Sequence, residues 1–173
     1  VRVDYLANPI HGLELSATKI AMVTGVIPSI TRLASTYFWG WLFDRMNFFL
    51  LRFVVNAIFL SGVMLYFLSG HVTVIAVGSA LFGLARGGGE ILWNLWVTKL
   101  NARDKIASYM SIHTFMTGLR VAIAPFMGFY LVKLFGLSSM LATSVAFIVW
   151  SFVLIWPLLK EKSFEAASPE KAK

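Results

Sequence analysis

Four ionisable side chains lie near the centres of long apolar stretches in this 173-residue chain. They are Arg32, Arg86, Glu90 and Arg120. A charge that faces lipid at such a depth costs roughly 2.5–3.5 kcal/mol on an insertion scale, so each side chain should face protein or a water-filled cavity. Arg86 and Glu90 are four residues apart and are expected to pair on one helix face. Arg32 and Arg120 are expected to have no anionic partner within this chain.

Two explanations fit the unpaired arginines. They either meet carboxylates or helix C-termini in a part of the protein outside this sequence, or they line an anion-binding cavity. Asn94 continues the stripe of Arg86 and Glu90 by one turn, while His113 and Thr117 share a helix face with Arg120. A single His beside Thr is more often an interface residue than a proton carrier, and an Arg–Glu pair is more simply structural. If the arginines line a cavity, all seven side chains are candidates for a substrate pathway.

Composition excludes several other kinds of chemistry. The chain is 58% hydrophobic and only 13% charged, which excludes an ordinary soluble domain and argues against nucleic-acid binding despite the net charge of +7. It has no cysteine and three histidines, and no His-rich cluster or pair of catalytic carboxylates is present. We therefore expect no metal site, no cofactor and no enzymatic activity.

Five apolar runs are long enough to cross a bilayer core, which takes roughly 20 helical residues. They are residues 20–42, 50–69, 72–98, 108–134 and 138–159. Continuous apolar runs without a ten-residue alternation argue against a β-barrel. The sequence predicts an all-α, polytopic membrane protein, in which residues 1–19 form an external loop and residues 160–173 a disordered cytoplasmic tail.

Basic residues predict the orientation. Seven Lys and Arg residues lie on the side of the membrane that holds the C-terminus and the connections after the first and third spans. Three lie on the other side. The seven are Arg45, Arg52, Lys99, Arg103, Lys105, Lys160 and Lys162, and the three are Arg2, Lys19 and Lys133. This asymmetry places the C-terminus in the cytoplasm and, with five spans, the start outside. Since no initiator Met or signal peptide precedes it, we expect a missing helix upstream and treat the chain as a fragment.

Glycine and proline mark positions where the helices could bend. Gly87, Gly88 and Gly89 form a run inside the third span, and close helix packing is favoured slightly over local flexibility. Pro28 and Pro125 predict kinks in the first and fourth spans.

The first predicted cytoplasmic turn reads Gly40-Trp41-Leu42-Phe43-Asp44-Arg45-Met46-Asn47. It resembles the Gly-x-Leu-x-Asp-Arg-x-Gly loop of the major facilitator superfamily, with Asn47 in place of the second Gly and expected to allow a left-handed turn. The resemblance implies that the five spans are helices eight to twelve, in the C-terminal half of such a transporter. It also implies that Gly40, Asp44 and Arg45 form a loop that stabilises one conformational state.

The sequence thus favours secondary active transport of a small, anionic or zwitterionic solute by alternating access. The expected partners are the lipid bilayer, the substrate, a coupling proton or sodium ion, and the missing N-terminal half of the same chain. The expected location is the inner cell membrane. The alternative is a non-transporting assembly subunit or receptor, in which the buried charges only hold helices together.

Overall fold

The computed structural model describes residues 2–7, 13–100 and 103–160. Of these residues, 93% are helical and none lies in a strand. The all-α prediction is therefore confirmed. The predicted disordered tail lies outside the described residues, apart from its first position.

The helices follow one another with short connections. In chain order they are α1 (Arg2–Ala7), α2 (Ala17–Ala21), a π-helical turn (Met22–Val26), α3 (Ile27–Arg45), α4 (Phe48–Leu68), α5 (Val72–Leu100), a 3₁₀ turn (Arg103–Lys105), α6 (Ile106–Phe135), α7 (Leu137–Ile155) and a final 3₁₀ segment (Trp156–Lys160). Pro28 lies in the first turn of α3, directly after the π turn, whereas Pro125 lies inside α6. At the end of α7, Pro157 has no N–H with which to continue the α-helix.

Four helical segments are long and apolar enough to cross a membrane, whereas the sequence predicts five spans. They are Phe48–Leu68, Val72–Leu100, Ile106–Phe135 and Leu141–Leu159. The first predicted span, 20–42, is helical throughout but is not among the four. Its apolar residues are diluted by Arg32 and by several serines and threonines, which lowers its mean hydropathy.

The beginning of the chain differs from the loop predicted for residues 1–19. Arg2–Ala7 is helical, and Leu6 is completely buried against a core that includes Val63, Tyr66 and Ile75. The N–H of Leu15 donates to the carbonyl of Leu6 at 2.9 Å, which ties the following segment to the short helix. Burial of the Leu6 side chain contributes roughly 1.5–3 kcal/mol to holding this segment on the bundle.

Helix α5 lies between α3 and α4 and packs closely against both. A Cβ at Gly83 would overlap the backbone of Pro28, and one at Gly88 would lie 2.8 Å from the Trp39 ring. A Cβ at Gly89 would have its nearest neighbour, Val55, 4.0 Å away. Gly83 and Gly88 are therefore required for close helix packing. Gly87 is tight as well, since its Cβ would lie 2.8 Å from the Ser35 hydroxyl, whereas Gly89 has room for a side chain.

Helices α6 and α7 lie at the outside of the described bundle. Gly128 is the one buried residue of α6 within the described part of the chain. Contacts with the rest are few and specific: the Asn56 amide donates to the Ser151 hydroxyl at 2.9 Å, and the rings of Phe53 and Phe152 are 4.6 Å apart. The many exposed apolar side chains on these two helices suit a lipid environment.

Candidate functional site

A cluster of three charged side chains connects α3 to α5. Arg32 Nη1 lies 3.2 Å from Glu90 Oε1, and Arg86 Nε lies 3.3 Å from the same oxygen. The predicted pairing of Arg86 with Glu90 is confirmed. The prediction that Arg32 has no anionic partner in this chain is wrong, because the close α3–α5 contact at Gly83 and Gly87 brings it within reach of Glu90.

The cluster is open rather than sealed in the core. The side chains of Arg32, Glu90 and Arg86 are 35%, 47% and 71% exposed, respectively. Asn94, one turn further along α5, is exposed as well. In a membrane such groups need water or protein beside them. One carboxylate against two guanidiniums leaves the cluster with an excess positive charge.

A second cluster lies between α5 and α6. The indole N–H of Trp96 donates to Nδ1 of His113 at 3.3 Å, and the indole N–H of Trp93 donates to the Thr117 hydroxyl at 3.3 Å. The Thr117 hydroxyl in turn donates to the His113 carbonyl at 2.8 Å. The structure therefore places His113 and Thr117 together, as the shared helix face predicts, and adds two tryptophans that the sequence analysis does not single out.

Arg120 joins this second cluster through a ring and not through a carboxylate. Its guanidinium carbon lies 4.7 Å from the centroid of Trp93, and that of Arg52 lies 5.3 Å from the same centroid. No described carboxylate lies within ion-pair distance of Arg120. Arg52 appears in the sequence only as one of the basic residues that predict the orientation, because nothing there indicates a contact with Trp93.

A lysine from α5 bonds to the loop between α3 and α4. Lys99 Nζ donates to the carbonyl oxygens of Phe43 and Met46, the latter at 2.7 Å. These oxygens belong to the end of α3, where helical carbonyls have no partner in the helix. The α3–α4 and α5–α6 connections therefore lie at the same end of the bundle.

The residues of the family-like turn take different roles. Asp44 is exposed and forms no ion pair with the described residues. The guanidinium carbon of Arg45 lies 4.1 Å from the Trp41 ring centroid. Asn47 has φ −59° and ψ 134°, so it does not adopt the left-handed conformation that the sequence predicts. Its side chain instead caps α4, accepting from the N–H groups of Phe49 at 2.8 Å and Leu50 at 3.4 Å. A capping Asn satisfies N–H groups that a Gly would leave free.

Among the described residues, no group of three or more His, Asp and Glu side chains is arranged to hold a metal ion. The two clusters lie one turn apart on α5, since Glu90 and Trp93 are three residues apart. All seven candidates for the substrate pathway lie on three helices, α3, α5 and α6.

Comparison with known proteins gives a family. The model of the Major Facilitator Superfamily matches residues 5–173. Among curated proteins and solved structures, none matches the chain. The family match covers nearly the whole chain, agrees with the all-α membrane fold, and agrees with the turn at Gly40–Asn47. Members of that family are membrane transporters and not enzymes. This chain therefore belongs to the major facilitator superfamily and is an integral membrane protein.

Proposed function

We propose that the chain is part of a secondary active transporter that moves a small anionic or zwitterionic solute by alternating access. The observation that carries this proposal is the sharing of Glu90 Oε1 by Arg32 and Arg86. Two guanidiniums held by one carboxylate bind a second anion more readily than a fully neutralised pair does. The exposed fractions of all three side chains give a solute access to them.

The same cluster offers a place for the coupling ion. Protonation of Glu90, or binding of a sodium ion to its carboxylate, would cancel the negative charge that Arg32 and Arg86 share. Both guanidiniums would then be free to bind a carboxylate or phosphate of the solute. Solute and coupling ion would therefore favour each other's binding, which is the linkage that a symporter needs.

The proposal includes an environment for the chain. It places the protein in the inner cell membrane, with the α3–α4 and α5–α6 connections and the C-terminus in the cytoplasm. The excess of basic residues at that end supports this orientation. The N-terminal half of the same protein would cover the exposed charged faces of α3 and α5, and the solute site would lie between the halves.

A transport assay on the complete protein tests the proposal. In proteoliposomes we expect saturable uptake of at least one solute from a panel of radiolabelled carboxylates, phosphate esters and amino acids, driven by a proton or sodium gradient. Glu90→Gln should abolish the dependence on the gradient, whereas Asp104→Asn, at an exposed position outside the cluster, should leave it unchanged. A folded protein with no saturable flux would favour the alternative of an assembly subunit or receptor.

A further inference from the structure

Two arginines from different helices converge on one tryptophan. Arg52 on α4 and Arg120 on α6 approach Trp93 on α5, with guanidinium carbons 5.3 and 4.7 Å from its ring centroid. The two guanidinium carbons are therefore at most about 10 Å apart, the sum of these distances. Arg120 extends toward the start of α6, the direction in which helical side chains point.

Neither of these positive charges is neutralised by a described residue. The two ion pairs of the described chain both involve Glu90, and no described carboxylate oxygen lies within 4.0 Å of the guanidinium of Arg52 or Arg120. A cation–π contact with Trp93 holds each guanidinium in place without cancelling its charge. Two like charges at this separation repel each other in a medium of low dielectric, and an anion between them would relieve the repulsion.

The Trp93 ring that both arginines contact is itself fixed. Trp93 donates its indole N–H to Thr117 at 3.3 Å, and its ring lies 4.7 Å from that of His113. Arg52 is half-buried and Arg120 is exposed, so the cluster is open on the side of α6. The positive charges are therefore both positioned in advance and accessible.

The cluster lies toward the end of the bundle that carries the α3–α4 loop. Arg52 is one turn into α4, and Trp93 is about two turns from the end of α5. Lys99 belongs to the same end through its bonds to Phe43 and Met46. Arg120 itself lies midway along α6, so the cluster extends from this end toward the middle of the helices. A lipid headgroup would enter it from the end where Arg52 lies.

We propose that Arg52 and Arg120 form a binding site for a phosphate group beside Trp93. A carboxylate offers two acceptor oxygens in one plane, whereas a phosphate offers more of them, pointing in different directions. A phosphate directs oxygens toward two guanidiniums that approach from different helices, as these do. The phosphate belongs either to an anionic phospholipid or to a soluble phosphate compound. The site is separate from the Glu90 cluster and does not depend on Glu90 lying in the solute pathway.

Thermal unfolding of the complete protein in a neutral detergent tests this site. Inorganic phosphate is titrated against sodium chloride of equal ionic strength, and phosphatidylglycerol against phosphatidylcholine. We expect phosphate or phosphatidylglycerol to raise the unfolding temperature in a saturable way, and the matched control not to. Stabilisation by phosphatidylglycerol alone identifies a lipid headgroup site, and stabilisation by inorganic phosphate identifies a site for soluble phosphate compounds.

Variants connect the binding to the two arginines. Arg52→Gln and Arg120→Gln should each weaken the apparent affinity about tenfold or more, as expected when a charge-assisted hydrogen-bonding partner is lost. Lys133→Gln, which removes an exposed positive charge in the last turn of α6, outside both clusters, should change it less than about twofold. Should a Gln variant fail to fold, the Lys variant at that position, which keeps the charge and loses the fork, should bind more weakly than the native protein. The proposal is overturned if neither probe binds, or if the position-52 and position-120 variants bind as the native protein does.

Discussion

Arg32 and Glu90 form an ion pair between α3 and α5, with Nη1 3.2 Å from Oε1. The two residues are 58 positions apart in the sequence. Because Arg86 donates to the same oxygen, removal of Glu90 leaves two guanidiniums without a partner. Removal of either arginine leaves the other pair intact. The three positions should therefore respond unequally to substitution.

We expect Glu90→Gln to lower the free energy of unfolding by roughly 1–3 kcal/mol, near the lower end because the side chains are partly exposed. Arg86→Gln should cost less than about 1 kcal/mol, since Arg32 still compensates Glu90. Chemical or thermal unfolding of the purified complete protein measures both. Equal effects of the two substitutions would contradict the shared-oxygen geometry.

The triple variant Arg32→Gln, Arg86→Gln, Glu90→Gln separates structure from transport. It has no uncompensated charge, so its stability should return to within about 1 kcal/mol of the native protein. If the cluster serves transport, this variant folds and inserts normally but shows no uptake. Normal uptake would assign the three side chains to helix packing alone.

Two glycines of α5 provide a matched test of helix packing. Gly83→Ala should destabilise the protein by roughly 1–3 kcal/mol, because its Cβ would overlap the backbone of Pro28. Gly89→Ala should be neutral or stabilise by up to about 1 kcal/mol, because alanine favours the helix and its Cβ meets its nearest atom only at 4.0 Å. Unfolding temperatures of both variants decide the matter, and a reversed order would rule out the described contact of α3 with α5.

Lys99 should stabilise the end of α3. Lys99→Met keeps the aliphatic stem but loses the bonds to the carbonyls of Phe43 and Met46, and we expect a loss of about 1–2 kcal/mol. Amide hydrogen exchange should accelerate at residues 44–47. Lys105→Met, at an exposed position near the same end, is the control and should change neither quantity. Unchanged exchange in Lys99→Met would show that the loop is held by other contacts.

The orientation can be tested with single cysteines in a complete protein from which any native cysteines have been removed; this chain contributes none. Lys105 and Gly70 are exposed positions in connections at opposite ends of α5. In the complete protein a cysteine at Lys105 should react with an impermeant maleimide only from the cytoplasmic side, and a cysteine at Gly70 only from outside. Labelling in the opposite sense would contradict the orientation derived from the basic residues.

Helices were predictable from the sequence because membrane-spanning segments must be long, apolar and continuous. The run predicted at 50–69 corresponds to Phe48–Leu68, and the run at 72–98 to Val72–Leu100. The pair of Arg86 with Glu90 was equally predictable, because both residues lie on one helix and its geometry fixes their separation.

Contacts between helices were harder to predict from the sequence, because they depend on how one helix is placed along another. Arg32 meets Glu90 only through the register of α3 on α5, which the contact of Gly83 with Pro28 determines. The contact of Arg52 was missed for the same reason, since nothing near it in the sequence indicates that Trp93 comes within 5.3 Å. Glycines inside an apolar run were the available signal, and they indicate close packing without naming the partner.

The unequal lengths of α4 and α5 have a consequence for the surrounding membrane. With 21 residues α4 is about 31 Å long, close to the roughly 30 Å of a hydrocarbon core, whereas α5 with 29 residues is about 43 Å long. Because the two helices pack closely along each other, α5 cannot tilt independently to shorten its span, and its ends extend into the headgroup layers. A thicker bilayer would therefore produce hydrophobic mismatch at α4 first, while α5 would still reach both surfaces.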